Sequence, residues 1–285
     1  MKTNEQLIDD LIDLAFAEDI GDGDHTTLST IPASEYGTQQ LIVKEEGILA
    51  GVEVARRVFE RFDPELEMKV MIEDGAHVKP GDVAFTVTGP VRSLLQTERT
   101  MLNIMQRMSG IATTTARYQA ELNGLNTKVL DTRKTTPGMR LLEKEAVKIG
   151  GGANHRIGLF DMILIKDNHT DFAGGIPQAV AAVRTYLARN HKSLKIEQGV
   201  RNEEEIQQAI DAGVDRIMLD NFTPERTKLA VEMIRKQNPA IEIESSGGIT
   251  LENLRKYGEC GVDFISVGAL THSVKGLDMS FKAKK

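Results

Sequence analysis

The sequence predicts an α/β protein, with a β-rich N-terminal part followed by a parallel α/β barrel. Three observations predict it. From residue 128 onward, six β-favouring runs alternate with helix-like segments. Residues 38 to 90 read instead as short strands joined by turns. At 285 residues the chain is longer than a usual single domain, which suits one large barrel or two domains. Strands that alternate with helices favour parallel pairing, because each return crossover can be made by a helix. An open doubly wound sheet is the alternative, and no GxGxxG follows the first strand to support dinucleotide binding.

The elements follow in order. Leu7, Leu11, Leu14 and Ala15 recur at helical spacing among acids, so the first segment is an amphipathic helix and not a signal sequence. QQLIVKEEG, EMKVMI and VAFTVTG contain the strands of the β-rich part, the last entered through the turn Lys79-Pro80-Gly81-Asp82. From Val91 to Leu122 the spacing of Leu94, Leu95, Leu102, Met105, Met108 and Ile111 predicts a helix, with the methionines filling core. The parallel strands are expected at 128–131, 162–166, 194–197, 216–219, 241–244 and 262–267, with helices at Ile176–Asn190, Glu203–Ala212 and Pro224–Gln237 among them.

Composition narrows the function. A net charge of −7, no Trp and 5% aromatics disfavour a nucleic-acid or acidic-membrane binder. No run approaches the roughly 20 apolar residues that span a bilayer, so a cytoplasmic location is expected. Cys260 is the single cysteine, which excludes an internal disulfide and fits a reducing compartment. A zinc site is not expected, since no His pair has ligand spacing.

Parallel barrels carry their reactive groups at the C-terminal ends of the strands. The expected ends read Asp131-Thr132-Arg133-Lys134, Lys166-Asp167-Asn168-His169, Glu197, Asp220-Asn221, Ser245-Ser246-Gly247-Gly248 and Gly268 with His272 beyond. The late glycines suit phosphate, because backbone N–H groups can approach its oxygens there. Arg133, Lys134, His155, Arg156 and Lys166 gather cations in an acidic protein, which calls for a multiply charged anion. Arg140, Lys144 and Lys148 read as a solvated helix face. Glu197 and Asp220 supply hard oxygens of the kind that ribose hydroxyls and Mg²⁺ take.

The stretches EDIGDGDHTT, ERTMLNIMQRMSGIAT, DTRKTTPGMRLLEKEAVKIGGGANHRIGLFD, ILIKDNH, MLDNF, ESSGGI and VGALTHS resemble the quinolinate phosphoribosyltransferase family, in order over nearly the whole chain. The resemblance implies an N-terminal α/β sandwich at 1–112, an open six-stranded barrel at 113–273, and a tail, 274–285, packed back on the sandwich. It also implies the reaction: quinolinate and phosphoribosyl pyrophosphate give nicotinate mononucleotide, pyrophosphate and CO₂, with Mg²⁺. Arg99, Arg133, Lys134, His155 and Arg156 are then the quinolinate carboxylate contacts and their neighbours, and Arg99 is shared across a homodimer interface. Lys166 is expected near the pyrophosphate and the reacting carbon, and Asp220 near the ribose hydroxyls. Ser246, Gly247, Gly248, Gly268 and His272 match the 5′-phosphate site. Catalytic roles fall to Lys134, Lys166, Glu197 and Asp220, with Glu197 and Asp220 as the metal-facing acids.

One position departs from the family pattern. Its third strand reads Glu-Val-Glu-Val, whereas this chain has Glu197-Gln198-Gly199-Val200, so a carboxylate is absent at Gly199 and a polar side chain replaces an apolar one at Gln198. The expectation is a correct fold with weakened turnover. The alternatives are a paralogous phosphoribosyltransferase for another acid and a binder without turnover.

Overall fold

The computed structural model describes residues 2–284. In chain order its elements are α1 (Asn4–Ile20), α2 (His25–Thr30), β1 (Tyr36–Val43), β2 (Gly47–Ile48), α3 (Val52–Phe62), β3 (Glu67–Val70), β4 (His77–Val78), β5 (Val83–Pro90) and α4 (Val91–Glu121). Then follow β6 (Lys128–Leu130), α5 (Arg140–Ile149), β7 (Ile163–Ile165), α6 (Asp167–Ala173), α7 (Ile176–Arg189), β8 (Ile196–Val200), α8 (Glu203–Asp211), β9 (Arg216–Asp220), α9 (Pro224–Gln237), β10 (Glu242–Ser246), α10 (Leu254–Gly258), β11 (Phe264–Ser266), α11 (Ala269–His272) and β12 (Met279–Ala283).

These elements form two units. The first comprises Met1–Ala116, Thr135–Gly151 and Ala269–Lys285, the second Arg117–Lys134 and Gly152–Gly268. The first unit is built on an antiparallel sheet of order β12-β1-β5-β3. Alternation along β1 buries Gln39, Leu41 and Val43 on one face. Beneath that face Phe59 of α3, Phe85 of β5 and Phe281 of β12 pack ring to ring, with centroids 5.9 to 6.3 Å apart. The C-terminal strand is held by five residue pairs with β1, from Gln39↔Ala283 to Val43↔Met279. The division of the chain is thus interleaved and not linear at 112/113. The stretch from Thr135 to Gly151 joins the first unit, where α5 packs on α1 and Gly150 lies so close to α4 that a Cβ would come within 2.4 Å of the Ala112 carbonyl.

The second unit holds a six-stranded parallel sheet of order β6-β11-β10-β9-β8-β7. That order is a barrel opened between β6 and β7. Helices α7, α8 and α9 start where the sequence indicated, α8 and α9 behind side-chain caps from Asn202 and Thr223 and α7 with Pro177 in its first turn. The outward-facing Ile217, Leu219, Ile243 and Ile265 are fully buried. The inward face is unusual for parallel strands, which are typically apolar runs. It carries Glu197 and Gly199 on β8, Arg216, Met218 and Asp220 on β9, Glu242, Glu244 and Ser246 on β10, and Ser266 on β11.

The third barrel strand corrects the sequence reading. Expected at 194–197, it runs from Ile196 to Val200, because pairing with β7 and β9 carries the ladder through Gln198 and Gly199 despite their weak strand preference. Gln198 faces outward and is fully buried. Its Nε2 donates to Thr170 Oγ1 at 3.0 Å and to the Gly199 carbonyl at 2.7 Å, while its Oε1 has no partner. An unsatisfied buried acceptor costs about 1–3 kcal/mol. Gln198→Val, similar in volume and suited to a strand, is expected to raise the barrel's Tm by about 2–4 °C for each kcal/mol recovered. A thermal melt showing a lower Tm would mean that the Thr170 hydrogen bond outweighs the unmatched oxygen.

Candidate functional site

The loops at the C-terminal ends of the barrel strands build a cleft of about 480 Å³. Arg133 and Lys134 reach it from the end of β6, Arg156 from the loop before β7, and Lys166 and His169 from the β7–α6 junction. Ser246 and Ser266 enter from β10 and β11, and Leu159, Leu164 and Met218 add apolar surface. His169 also fixes its neighbour, since its Nδ1 accepts the Lys166 N–H at 3.1 Å as the helix begins. Lys166 and Met218 line a second, adjoining space of about 230 Å³, together with Asp167, Gly199, Val200, Arg201 and Asp220. The two spaces therefore meet at one lysine.

The rim is cationic. Burial, and then the charge of Arg133, lower the Arg156 guanidinium from its ordinary value, against Glu197 and Asp161. A guanidinium whose charge is disfavoured in this way gains from an anion nearby. Planar groups of this kind pair bidentately with carboxylates.

Beneath the rim, four charged side chains meet inside the barrel. His155 Nε2 lies 3.0 Å from Glu197 Oε2 and 3.4 Å from Glu244 Oε2. Arg216 Nη1 stands 3.4 Å from Glu244 Oε2 and 3.9 Å from Glu197 Oε2, while its Nη2 pairs with Glu242 at 2.8 Å. Both inner glutamates are fully buried. Burial, then the charge of Glu244, raise the Glu197 carboxyl to about 7, against His155 and Arg216. Glu244 goes the other way: burial raises it, but His155, Ser266 and Arg216 outweigh that and hold it low. For His155, burial is outweighed by its hydrogen bonds to Glu197 and Glu244, which push the ring up toward about 9. One contact opposes a charged ring. Nδ1 accepts the Arg156 N–H at 2.7 Å, which it can do only without a proton of its own. The Nδ1 lone pair thus serves the Arg156 peptide while Nε2 faces the two glutamates.

Placement of the sequence-derived residues can now be stated. Arg133, Lys134, Arg156, Lys166 and Ser246 share the cleft, and Asp220 lies in the adjoining space. Gly247 turns the chain after β10 with φ +97°, and a Cβ there would overlap the Asn221 side chain. Gly248 is exposed, with open space around it, and Gly268 follows β11. Arg99 and His272 belong to the first unit. Arg99 lies exposed on a cavity of about 530 Å³ with Glu18, Asp19 and Arg107, and His272 Nδ1 is 2.7 Å from Ser273 Oγ.

One expectation is corrected. Glu197 is not at a strand end. It sits opposite Arg216, four residues from the level of Asp220, which is roughly 13 Å along the strands, so the two acids do not form a metal pair. His155 lines the cleft beside Arg156, with Nε2 facing Glu197 and Glu244 and Nδ1 accepting the Arg156 N–H. His155, Glu197 and Glu244 do converge as three ligands would. With Arg216 among them, however, they form a charge-balanced ion network and not an open cation site. The sequence reading missed Arg216, Glu242 and Glu244. Their signal was charge at alternate positions of parallel strands.

Known proteins resemble this chain along its length. Residues 24–109 match the model described as the quinolinate phosphoribosyl transferase N-terminal domain, and residues 111–282 match that family's C-terminal domain. The chain is 44% identical over 288 residues to the chloroplastic nicotinate-nucleotide pyrophosphorylase [carboxylating] of Arabidopsis thaliana, covering 95% of this chain and 81% of that protein. It is 42% identical to a probable enzyme of the same name from Synechocystis, covering 97% and 92%. Among solved structures, NadC from Streptococcus pyogenes superimposes with a TM-score of 0.92 at 38% identity, covering all of both chains.

The raised Glu197 carboxyl yields a pH prediction. A carboxyl raised in the folded state binds its proton more tightly folded than unfolded. Glu197's contribution is therefore complete below its usual 4.5 and is lost as pH rises through about 7. Glu197→Gln, which cannot ionise, is expected to flatten the decline in Tm across that interval. An unchanged slope in thermal melts would place the proton elsewhere.

Proposed function

The chain belongs to the quinolinate phosphoribosyl transferase family, and we propose that it transfers phosphoribosyl from phosphoribosyl pyrophosphate to quinolinate with loss of CO₂, a step of NAD biosynthesis. The observation that carries the reading is the adjoining pair of spaces joined at Lys166. One is ringed by Arg133, Lys134 and Arg156, and the other carries Asp220. An aromatic dicarboxylate suits the first, since guanidiniums grip its carboxylates while Leu159, Leu164 and Met218 face a flat ring.

The chemistry follows from positioning. The pyridine nitrogen, aimed by the carboxylate contacts, forms a bond to the anomeric carbon as the bond to pyrophosphate breaks. Lys166, at the junction, neutralises charge on the departing oxygen. Asp220 supports the positive charge that builds on the ribose. The new pyridinium then accepts the electron pair released as the 2-carboxylate leaves as CO₂, and a proton takes its place on the ring. Ser246, Gly247, Gly248 and Gly268 are the proposed 5′-phosphate contacts.

Magnesium enters this proposal on the substrate. Asp167 and Asp220, exposed in the same space, fit the one or two carboxylates that such an ion takes beside phosphate oxygens. The ion would supply charge neutralisation for the pyrophosphate. A homodimer that shares Arg99 is part of the proposal, supported by the exposure of that arginine on its own cavity. So is a cytoplasmic location, supported by the lone Cys260; no helix among the described residues is long and apolar enough to cross a membrane.

The test is release of labelled CO₂ and formation of nicotinate mononucleotide from the two substrates, with and without Mg²⁺. Product that depends on the metal is the expected result, whereas binding of both substrates without product would indicate a disabled enzyme. Arg133→Ala is expected to raise the quinolinate KM at least tenfold, and unaltered affinity would remove the carboxylate clamp from the account. Gly199 has room for a side chain: its nearest neighbour is the Ile165 carbonyl, 3.5 Å from a built Cβ, and it faces the space of Lys166 and Asp220. Restoring the acid with Gly199→Glu is expected to raise kcat/KM. A single pre-organised contact of this type is worth about 10²–10³ in rate, which sets the ceiling. An unchanged kcat/KM would show that the space needs no second carboxylate.

A further inference from the structure

The loop that presents Arg156 has an uncommon backbone arrangement. Four consecutive N–H groups, from His155 to Gly158, each donate to a side chain and none to a regular ladder. His155 N–H donates to Asp131 Oδ1 at 2.9 Å, and Arg156 N–H to His155 Nδ1 at 2.7 Å. Ile157 and Gly158 N–H donate to the two oxygens of Asp161 at 2.8 and 2.9 Å. Where a peptide plane is fixed by side chains, the position of those side chains sets where the next guanidinium points. Asp131 and Asp161 belong to the loop and its nearest strand end. His155 links the loop to the middle of the barrel, its Nε2 lying 3.0 Å from Glu197 on β8 and 3.4 Å from Glu244 on β10, both of which face Arg216 on β9. Arg216 is itself braced by Glu242 and by the Phe264 ring, 4.5 Å from its guanidinium carbon.

We propose that Arg216, Glu244 and His155 are positioning residues for Arg156, transmitting the geometry of three barrel strands to the peptide that aims this guanidinium at a substrate carboxylate. The inference rests on the reading of the cleft as the quinolinate site. It gives His155, which lines the cleft, a second task as a brace for the Arg156 peptide. It also explains why an anion-binding cleft tolerates Glu244 in its lining: the acid orients the imidazole, and Arg216 offsets its charge.

The sign of one substitution separates this role from plain electrostatics. Glu244→Gln removes a negative charge beside an anion site, so a purely electrostatic effect would tighten quinolinate binding. Positioning requires the opposite, a quinolinate Kd raised at least fivefold by calorimetry, with the phosphoribosyl pyrophosphate Kd within twofold of wild type. Arg216→Lys, a gentler change that keeps the charge, is expected to act in the same direction. It serves as the test if Glu244→Gln melts too low to assay. Because the effect passes through Arg156, adding Glu244→Gln to Arg156→Lys is expected to weaken quinolinate binding by less than a further twofold. Tighter or unchanged binding in Glu244→Gln, or additive losses in the double variant, would overturn the inference and leave the function intact. A wild type that binds no quinolinate would overturn the reading of the cleft and this inference with it.

Discussion

The barrel depends on the balance of charge at its centre. Parallel strands wrapped by helices ordinarily fill their interior with branched apolar side chains, yet here Glu197, Glu244 and Arg216 occupy it with His155 above them. Removing one member of such a group leaves an uncompensated buried charge, at about 3–5 kcal/mol. Charge-lined interiors are a poor source of stability, so the apolar core lies on the other side of the sheet, in Ile217, Leu219, Ile243 and Ile265. The sheet thereby separates two tasks. Its outer face holds the unit together, and its inner face carries groups whose value is their orientation.

Layering along the barrel axis makes the same point. Register places Glu197, Arg216 and Glu242 opposite one another on adjacent strands. One step further along lie Gly199, Met218 and Glu244, and beyond them Asp220 and Ser246, at the level of the cleft. A fixed ion network at the lower level therefore supports a solvent-open and mostly cationic upper level. At the rim, burial and the charge of Arg133 disfavour the charge of Arg156. The network below has its charges already matched. Such a division suits glycosyl transfer, where the protein supplies position and field and no nucleophile.

The first unit has a different physical character. Its sheet is antiparallel, its core is aromatic and aliphatic, and its last strand comes from the far end of the chain. Arg107 of α4 ties several of its segments together, pairing with the buried Glu143 at 2.9 Å and donating to the Thr271 carbonyl. Through that bond the turn carrying His272 is held by a helix some 160 residues earlier in sequence.

Much of this was determined by the sequence itself. Periodicity located the six parallel strands and three of the helices among them, because alternation and turn residues are local properties. Composition at strand ends singled out Arg133, Lys134, Lys166 and Asp220, since in this architecture position at a strand end implies position at the open face. Three matters were decided only by tertiary structure. The third strand extends to Val200 because its neighbours pair with it, which moved Glu197 from the rim into the interior. The direction of the His155 ring depends on acids 42 and 89 residues away, beyond the reach of any local pattern. Membership of α5 in the first unit follows from its packing on α1, a contact between segments more than a hundred residues apart. Local chemistry names the residues that can react, and long-range pairing decides which way they face.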